Sequence, residues 1–181
     1  MATSKTGSFY LTETVTMNNA QADGTRNQAT VDLGAYVNVP TGQAVAIESV
    51  DFIVQRGADF GGAVENFLAA NGSISMQLTD LNPGTELVRA DSQSLIASAC
   101  LSIDGNMATH TNDLFPDNFG PASLSEAFMV VNDTLYLVAG NDKAAVGTGD
   151  LYVTARIRCR VVKLAQKDWM AIAIQSTAAD N

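Results

Sequence analysis

The stretch Leu151-Tyr152-Val153-Thr154-Ala155-Arg156-Ile157-Arg158-Cys159-Arg160-Val161-Val162-Lys163-Leu164 decides how the chain is read. Leu151, Val153, Ala155, Ile157, Cys159 and Val161 share one parity. Tyr152, Thr154, Arg156, Arg158 and Arg160 share the other. Successive side chains of a strand point to opposite faces, so this pattern predicts one strand with a buried side and a wet side.

The same period recurs outward from it. Phe9, Leu11, Val15 and Met17 alternate with Tyr10, Thr12, Thr14 and Thr16, and Glu13 interrupts the apolar face, as suits an edge. Val31, Leu33, Ala35, Val37 and Val39 form a second set, ended by Pro40, which cannot donate to a ladder. From Ala44 to Arg56 the parity changes: Val45 and Ile47 precede Val50, Phe52 and Val54, so a β-bulge is expected near Glu48-Ser49. Ile74, Met76 and Leu78 make a further strand. Leu95–Ile103 makes another, and Glu86–Arg89 a short one. Phe128–Val131 and Thr134–Ala139 are expected to pair across Asn132-Asp133.

Two segments break the period. Phe60, Val64, Phe67 and Leu68 have helical spacing, which predicts a short helix at 62–70, and Trp169 and Ile172 suggest another within 165–175. Stretches 18–28, 106–125 (with Pro116, Gly120 and Pro121) and 140–150 read as polar loops. The fold class that follows is all-β: an antiparallel two-sheet sandwich, a jelly roll of about eight strands with one or two short helices, over residues 1–181 as a single domain.

Composition narrows function. Hydrophobic residues are 46% and charged residues 16%, so Ser, Thr, Asn, Gln and Gly must cover much of the surface. Such a surface suits a protein packed against neighbours. The net charge of −9 argues against a free-standing nucleic-acid binder. No leader and no membrane span is expected from the sequence.

Catalysis has little to draw on. The chain has one histidine, His110, placed in the 106–125 loop, where Asp113 or Asp117 could orient it but no nucleophile motif accompanies it. The aspartates Asp23, Asp104, Asp113, Asp117 and Asp142 show no calcium-loop spacing. Cys100 and Cys159 match no metal spacing and read as small buried apolar residues ahead of a disulfide. No enzyme activity, catalytic residue, metal or cofactor is expected. The unusual charge feature is Arg156, Arg158 and Arg160, which with Lys163 and Lys167 place five of the ten basic residues within 156–167. Like charges on one strand face repel unless acids sit opposite. An acidic cross-strand neighbour explains the cluster within one chain. An inter-subunit salt-bridge patch explains it between chains, and nucleic-acid contact is a third reading.

The segment Val37-Asn38-Val39-Pro40-Thr41-Gly42-Gln43-Ala44-Val45-Ala46-Ile47 and the closing strand 151–164 resemble single jelly-roll viral capsid proteins. Size and acidity are similar to those of the small major capsid proteins of tailless icosahedral DNA viruses of archaea and bacteria. The resemblance implies a structural subunit, many copies of which self-assemble into an icosahedral shell, located in the virion and assembled in the host cytoplasm. Loops 106–125 and 140–150 would then supply adaptable contacts. Only Lys5 and Arg26 are basic before Arg56, so no direct nucleic-acid contact is expected. The resemblance leaves room for a second capsid or penton protein and for an internal membrane beneath the shell. The alternatives are a β-sandwich binding module for carbohydrate or receptor, and another assembly subunit such as a spike or surface-layer component. Aromatic content of 7% with one tryptophan disfavours a sugar platform.

Overall fold

The computed structural model describes residues 3–58, 63–114 and 127–178. Its elements are β1 (Thr3–Ser4), β2 (Phe9–Met17), β3 (Arg26–Asp32), β4 (Gln43–Arg56), β5 (Gly72–Thr79), β6 (Leu95–Asp104), β7 (Thr109–Leu114), β8 (Phe128–Val130), β9 (Thr134–Asp142), β10 (Leu151–Lys163) and the helix α1 (Gln166–Ala178).

All pairings are antiparallel. One sheet runs β2-β10-β4-β8, with β1 on the same side of β10 as β2, opposite Val162 and Lys163. The other runs β3-β9-β5-β6-β7. With β1 and β7 set aside and the remaining eight counted in chain order, the sheets read 1-8-3-6 and 2-7-4-5. Every connection among the eight except β5 to β6 passes from one sheet to the other. This is the double Greek key of a jelly roll. The sandwich fold expected from alternation is therefore the fold observed, with the two extra short strands and one α-helix among the described residues.

The alternation has its expected cause. Leu151, Val153, Ala155, Ile157 and Cys159 are fully buried in β10, facing Leu135, Leu137, Ile74, Met76 and Leu78 within one core cluster. Burying each large side chain stabilises the fold by about 1.5–3 kcal/mol before entropy is subtracted. The bulge lies where the parity change places it: Cys159 pairs with Ile47 and Arg158 with Ser49, so Glu48 is the extra residue. Ile47 and Val50 can thus both face inward.

Ala44, Ala46, Val162 and Leu164 are buried on the opposite face, against Trp169, Ile172 and Ala173 of α1. The helix covers the outer face of the first sheet at one end. It explains why Ala44–Ile47 and Val161-Val162 are apolar in both parities.

Several expectations are corrected. The second strand begins at Arg26 and ends at Asp32, not at Val39. Asp32 Oδ1 accepts the Gly34 amide at 2.7 Å, and the Tyr36 and Val37 amides donate to the Leu33 carbonyl, so the chain turns there. The polar Arg26-Asn27-Gln28 run is held on an edge strand by side-chain bonds, Asn27 Nδ2 to the Thr16 carbonyl among them. The helix expected at 62–70 is a single 3-10 turn, Val64–Asn66, because Phe67 and Leu68 are drawn into the core. Glu86–Arg89 is not a strand. The Gln77 side chain takes the place of a ladder there, accepting the Val88 amide at 2.8 Å and donating to its carbonyl at 2.9 Å.

β8 and β9 do not pair with each other: β8 joins β4, whereas β9 lies between β3 and β5. The loop expected at 106–125 contains β7, which forms a hairpin with β6. β9 runs on to Asp142, which shortens the loop expected at 140–150. Phe60, Pro116, Asp117, Gly120 and Pro121 lie outside the described residues.

At the end of the sandwich beside α1, Gly42 has φ +67°, and a Cβ there would lie 2.6 Å from the Leu164 carbonyl oxygen. The Leu164 amide donates to the Gly42 carbonyl at 2.8 Å, so the turn before β4 and the exit of β10 are locked together.

Candidate assembly surface

The outer face of the first sheet carries the basic cluster. β10 sets Arg156, Arg158 and Arg160 on one side because its alternate residues fill the core. The bulge then supplies their counter-charge. Glu48 Oε2 lies 3.0 Å from Arg158 Nε, and its Oε1 lies 3.2 Å from Arg160 Nη1. A single carboxylate thus bridges two guanidiniums, and Ser8 Oγ donates to it at 2.8 Å. Arg156 pairs in register with Asp51 of β4, and its guanidinium sits 5.0 Å from the centroid of the Tyr10 ring. The acidic cross-strand neighbour expected from the sequence is therefore present for Arg158 and Arg160. Lys163 ends β10 and Lys167 opens α1, both exposed, so they extend the patch toward the helix rather than along the arginine row. The signal that could have found the carboxylate is the parity change at Glu48 itself, since a bulge re-aims the residue it inserts.

Cys159 lies on the buried side of the same strand and is a free thiol, as is Cys100 on the other sheet. Burial, with Glu48 nearby as the smaller cause, pushes the Cys159 thiol up to about 11. The neutral thiol is what the native state prefers. Stability from this group is complete below the ordinary thiol range near 9.0 and is lost as pH rises through about 11. The expected outcome with a thiol-specific colorimetric reagent at pH 8 is one fast-reacting group, Cys100, and a second only after denaturation. Two fast groups in the folded protein would contradict the packing of β10.

His110 is on β7, opposite Ile103, and not in a loop. It rims a cavity of about 160 Å³ whose other lining residues include Phe52, Phe67, Met76 and Leu101. None of the other described residues that line it is acidic or nucleophilic, and the side chains of Asp113 and Asp117 lie outside the described residues. Asp104 and Asp142 are occupied locally: Asp104 Oδ1 accepts the Asn106 and Met107 amides, and Asp142 pairs with Arg26 at 3.1 Å. Among the described residues no group of three or more His, Cys, Asp or Glu could hold a metal ion. No helix among them is long and apolar enough to cross a membrane.

The class defined by this strand order is the jelly-roll β-sandwich. No family model matches the chain, and no curated protein matches it. Three similar chains among solved structures come from viruses. VP1 of Merkel cell polyomavirus, solved with the oligosaccharide GD1a, is 13% identical, with 89% of this chain and 98% of that chain covered and a TM-score of 0.38. A chain of turnip yellow mosaic virus is 8% identical over 88% of this chain and 97% of its own, with a TM-score of 0.32. A chain of desmodium yellow mottle tymovirus is 9% identical over 88% and 91%, with a TM-score of 0.30. The jelly-roll assignment rests on the strand order of this chain.

Proposed function

We propose that the chain is a viral capsid subunit, a structural protein without enzymatic activity that assembles in many copies into an icosahedral shell in the virion. The observation that carries this reading is the 1-8-3-6 and 2-7-4-5 strand order. Jelly rolls of this kind serve chiefly as viral capsid, lectin and cupin domains. A cupin centre needs several converging metal ligands, and this sequence has a single histidine. A lectin platform needs exposed aromatic rings, and the one large exposed aromatic among the described residues, Tyr10, lies against Arg156. What remains is a scaffold with a charged outer face and two loop-bearing ends.

Arg156, Arg158, Arg160, Lys163 and Lys167 form the inter-subunit patch in this reading. Two guanidiniums share one Glu48 carboxylate, so the strand face keeps a net positive charge in a chain of net −9. An acidic surface of a neighbouring copy complements it, at a salt-dependent gain. No nucleic-acid contact is required of this subunit. A second capsid or penton protein and an underlying membrane are compatible with the patch, and assembly in the host cytoplasm follows from the same reading.

Negative-stain microscopy and sedimentation velocity of the purified chain across a salt series test the proposal. Closed particles of uniform diameter are expected. A species that stays monomeric at every salt and protein concentration would sink it, and open sheets or filaments would favour a surface-layer or spike component.

A further inference from the structure

Five large apolar side chains lie exposed among the described residues: Tyr10, Val39, Met107, Met170 and Ile174. Tyr10 is covered in part by Arg156. The other four fall in two places at opposite ends of the sandwich.

Val39 (59% exposed), Met170 (54%) and Ile174 (63%) gather where α1 leaves β10. Between the helix and the Val39-Pro40 turn runs a groove of about 790 Å³, floored by Leu164, Trp169 and Met170 and edged by Lys163. Lys167 lies one helical turn before Met170 and is exposed. The Trp169 Nε1 group is buried without a hydrogen-bond partner. The groove is thus apolar below and basic at its rim.

Met107, 73% exposed, tops the β6–β7 hairpin. The hairpin tip is braced. Asp104 Oδ1 accepts the amides of Asn106 (3.0 Å) and Met107 (3.2 Å), and Asn71 Oδ1 accepts that of Gly105 at 2.9 Å. Ala108 takes φ +49° to return the chain into β7. This tip is an apolar knob on an acidic base.

β10 runs the length of the first sheet, from the hairpin's end at Leu151 to the groove's end at Lys163, a span of about 40 Å at the usual strand rise. A knob cannot reach the groove of its own chain. We propose that the Met107 hairpin of one copy seats in the Trp169–Met170 groove of the next, with Asp104 facing Lys163 and Lys167. Apolar complementarity and opposite charge both select a second copy of this chain as the occupant. Because the two surfaces differ, the contact is heterologous and propagates into a ring or lattice instead of stopping at a two-fold dimer. The inference rests on the shell reading and names the contact that builds the shell.

The test uses the full chain with Cys100 replaced by Ser, and Cys159 is kept because its buried thiol does not react in the folded protein. Met107→Cys protein and Met170→Cys protein are mixed under mild oxidation. The mixture is expected to give a mixed dimer, each variant alone none, and the double variant a ladder of oligomers. In particle assays, Met107→Asp and Met170→Asp, both at exposed positions, are expected to fold with an unchanged circular dichroism spectrum and to lower particle yield about tenfold, the effect of losing roughly 1.4 kcal/mol at a contact. Wild-type particles with no mixed cross-link and no loss in either variant would overturn the contact and leave the shell reading intact. A mixed cross-link from a chain that never forms particles would do the reverse. Self-cross-linking of Met170→Cys, or flotation with phosphatidylglycerol vesicles that Met170→Asp abolishes while the mixed cross-link is absent, would assign the groove to a two-fold contact or a membrane surface and overturn the inference.

Discussion

Asn141→Leu lowers the thermal midpoint by about 6–12 °C, the shift expected for a loss of about 3 kcal/mol in a chain of this size. Asn141 is fully buried in β9. Its Nδ2 donates to the carbonyls of Ala144 (2.7 Å), Ala22 (3.0 Å) and Gln21 (3.4 Å), and its Oδ1 accepts from Gln21 Nε2 at 3.0 Å. Gln21 in turn accepts from Asn27 Nδ2 at 2.9 Å. Leucine matches the volume and satisfies none of these groups, so several buried polar atoms are left without partners. Asn141→Asp is expected to be worse, because it turns a donor toward three carbonyl oxygens into a charge against them. The network ties the β2–β3 connection to the β9–β10 loop, so both loops become protease-sensitive in the variant. Differential scanning calorimetry and limited proteolysis check the result. A midpoint within a degree or two of wild type would show that the network contributes little.

Ile157→Ala is expected to destabilise the fold by about 2–5 kcal/mol, the range for deleting a large buried aliphatic group. Ile157 is fully buried at the middle of β10, opposite Leu11 of β2 and Val50 of β4. Its neighbour Arg156 is exposed, and Arg156→Ala should change stability by less than about 1 kcal/mol. Urea denaturation of the two variants measures the contrast directly. Similar losses at both positions would contradict the one-sided burial of the strand.

What the sequence made legible follows from which residues had a single strong reason for their position. β10, β2, β5 and β6 bury one parity and wet the other, so their side-chain period was sufficient. The bulge at Glu48 was visible because a continuous inward face cannot change parity without an extra residue. The polar start of β3 was not visible: Arg26, Asn27 and Gln28 sit on an edge strand whose bonds come from long-range partners. Pairing was less legible than extension. Thr134–Ala139 looked like the hairpin partner of Phe128–Val131, yet Asn132 and Asp133 carry the chain from one sheet to the other. Nothing local distinguishes a tight hairpin from such a crossing. The arginine row could be read as a cluster, but its carboxylate partner depended on the register of β4 against β10. The Met107 knob carried no signal in the sequence, since its meaning comes from the groove at the far end.

The location of β10 has a consequence for biosynthesis. Of the described strands it is the last made, and it must enter between β2 and β4, which are synthesised about a hundred residues or more earlier. Until Lys163 has left the ribosome, the nascent chain holds two open strand edges and no finished hydrophobic interior. Closing the sandwich therefore waits for the whole of β10, and a product stalled or truncated before it is prone to pair with another such chain through those edges.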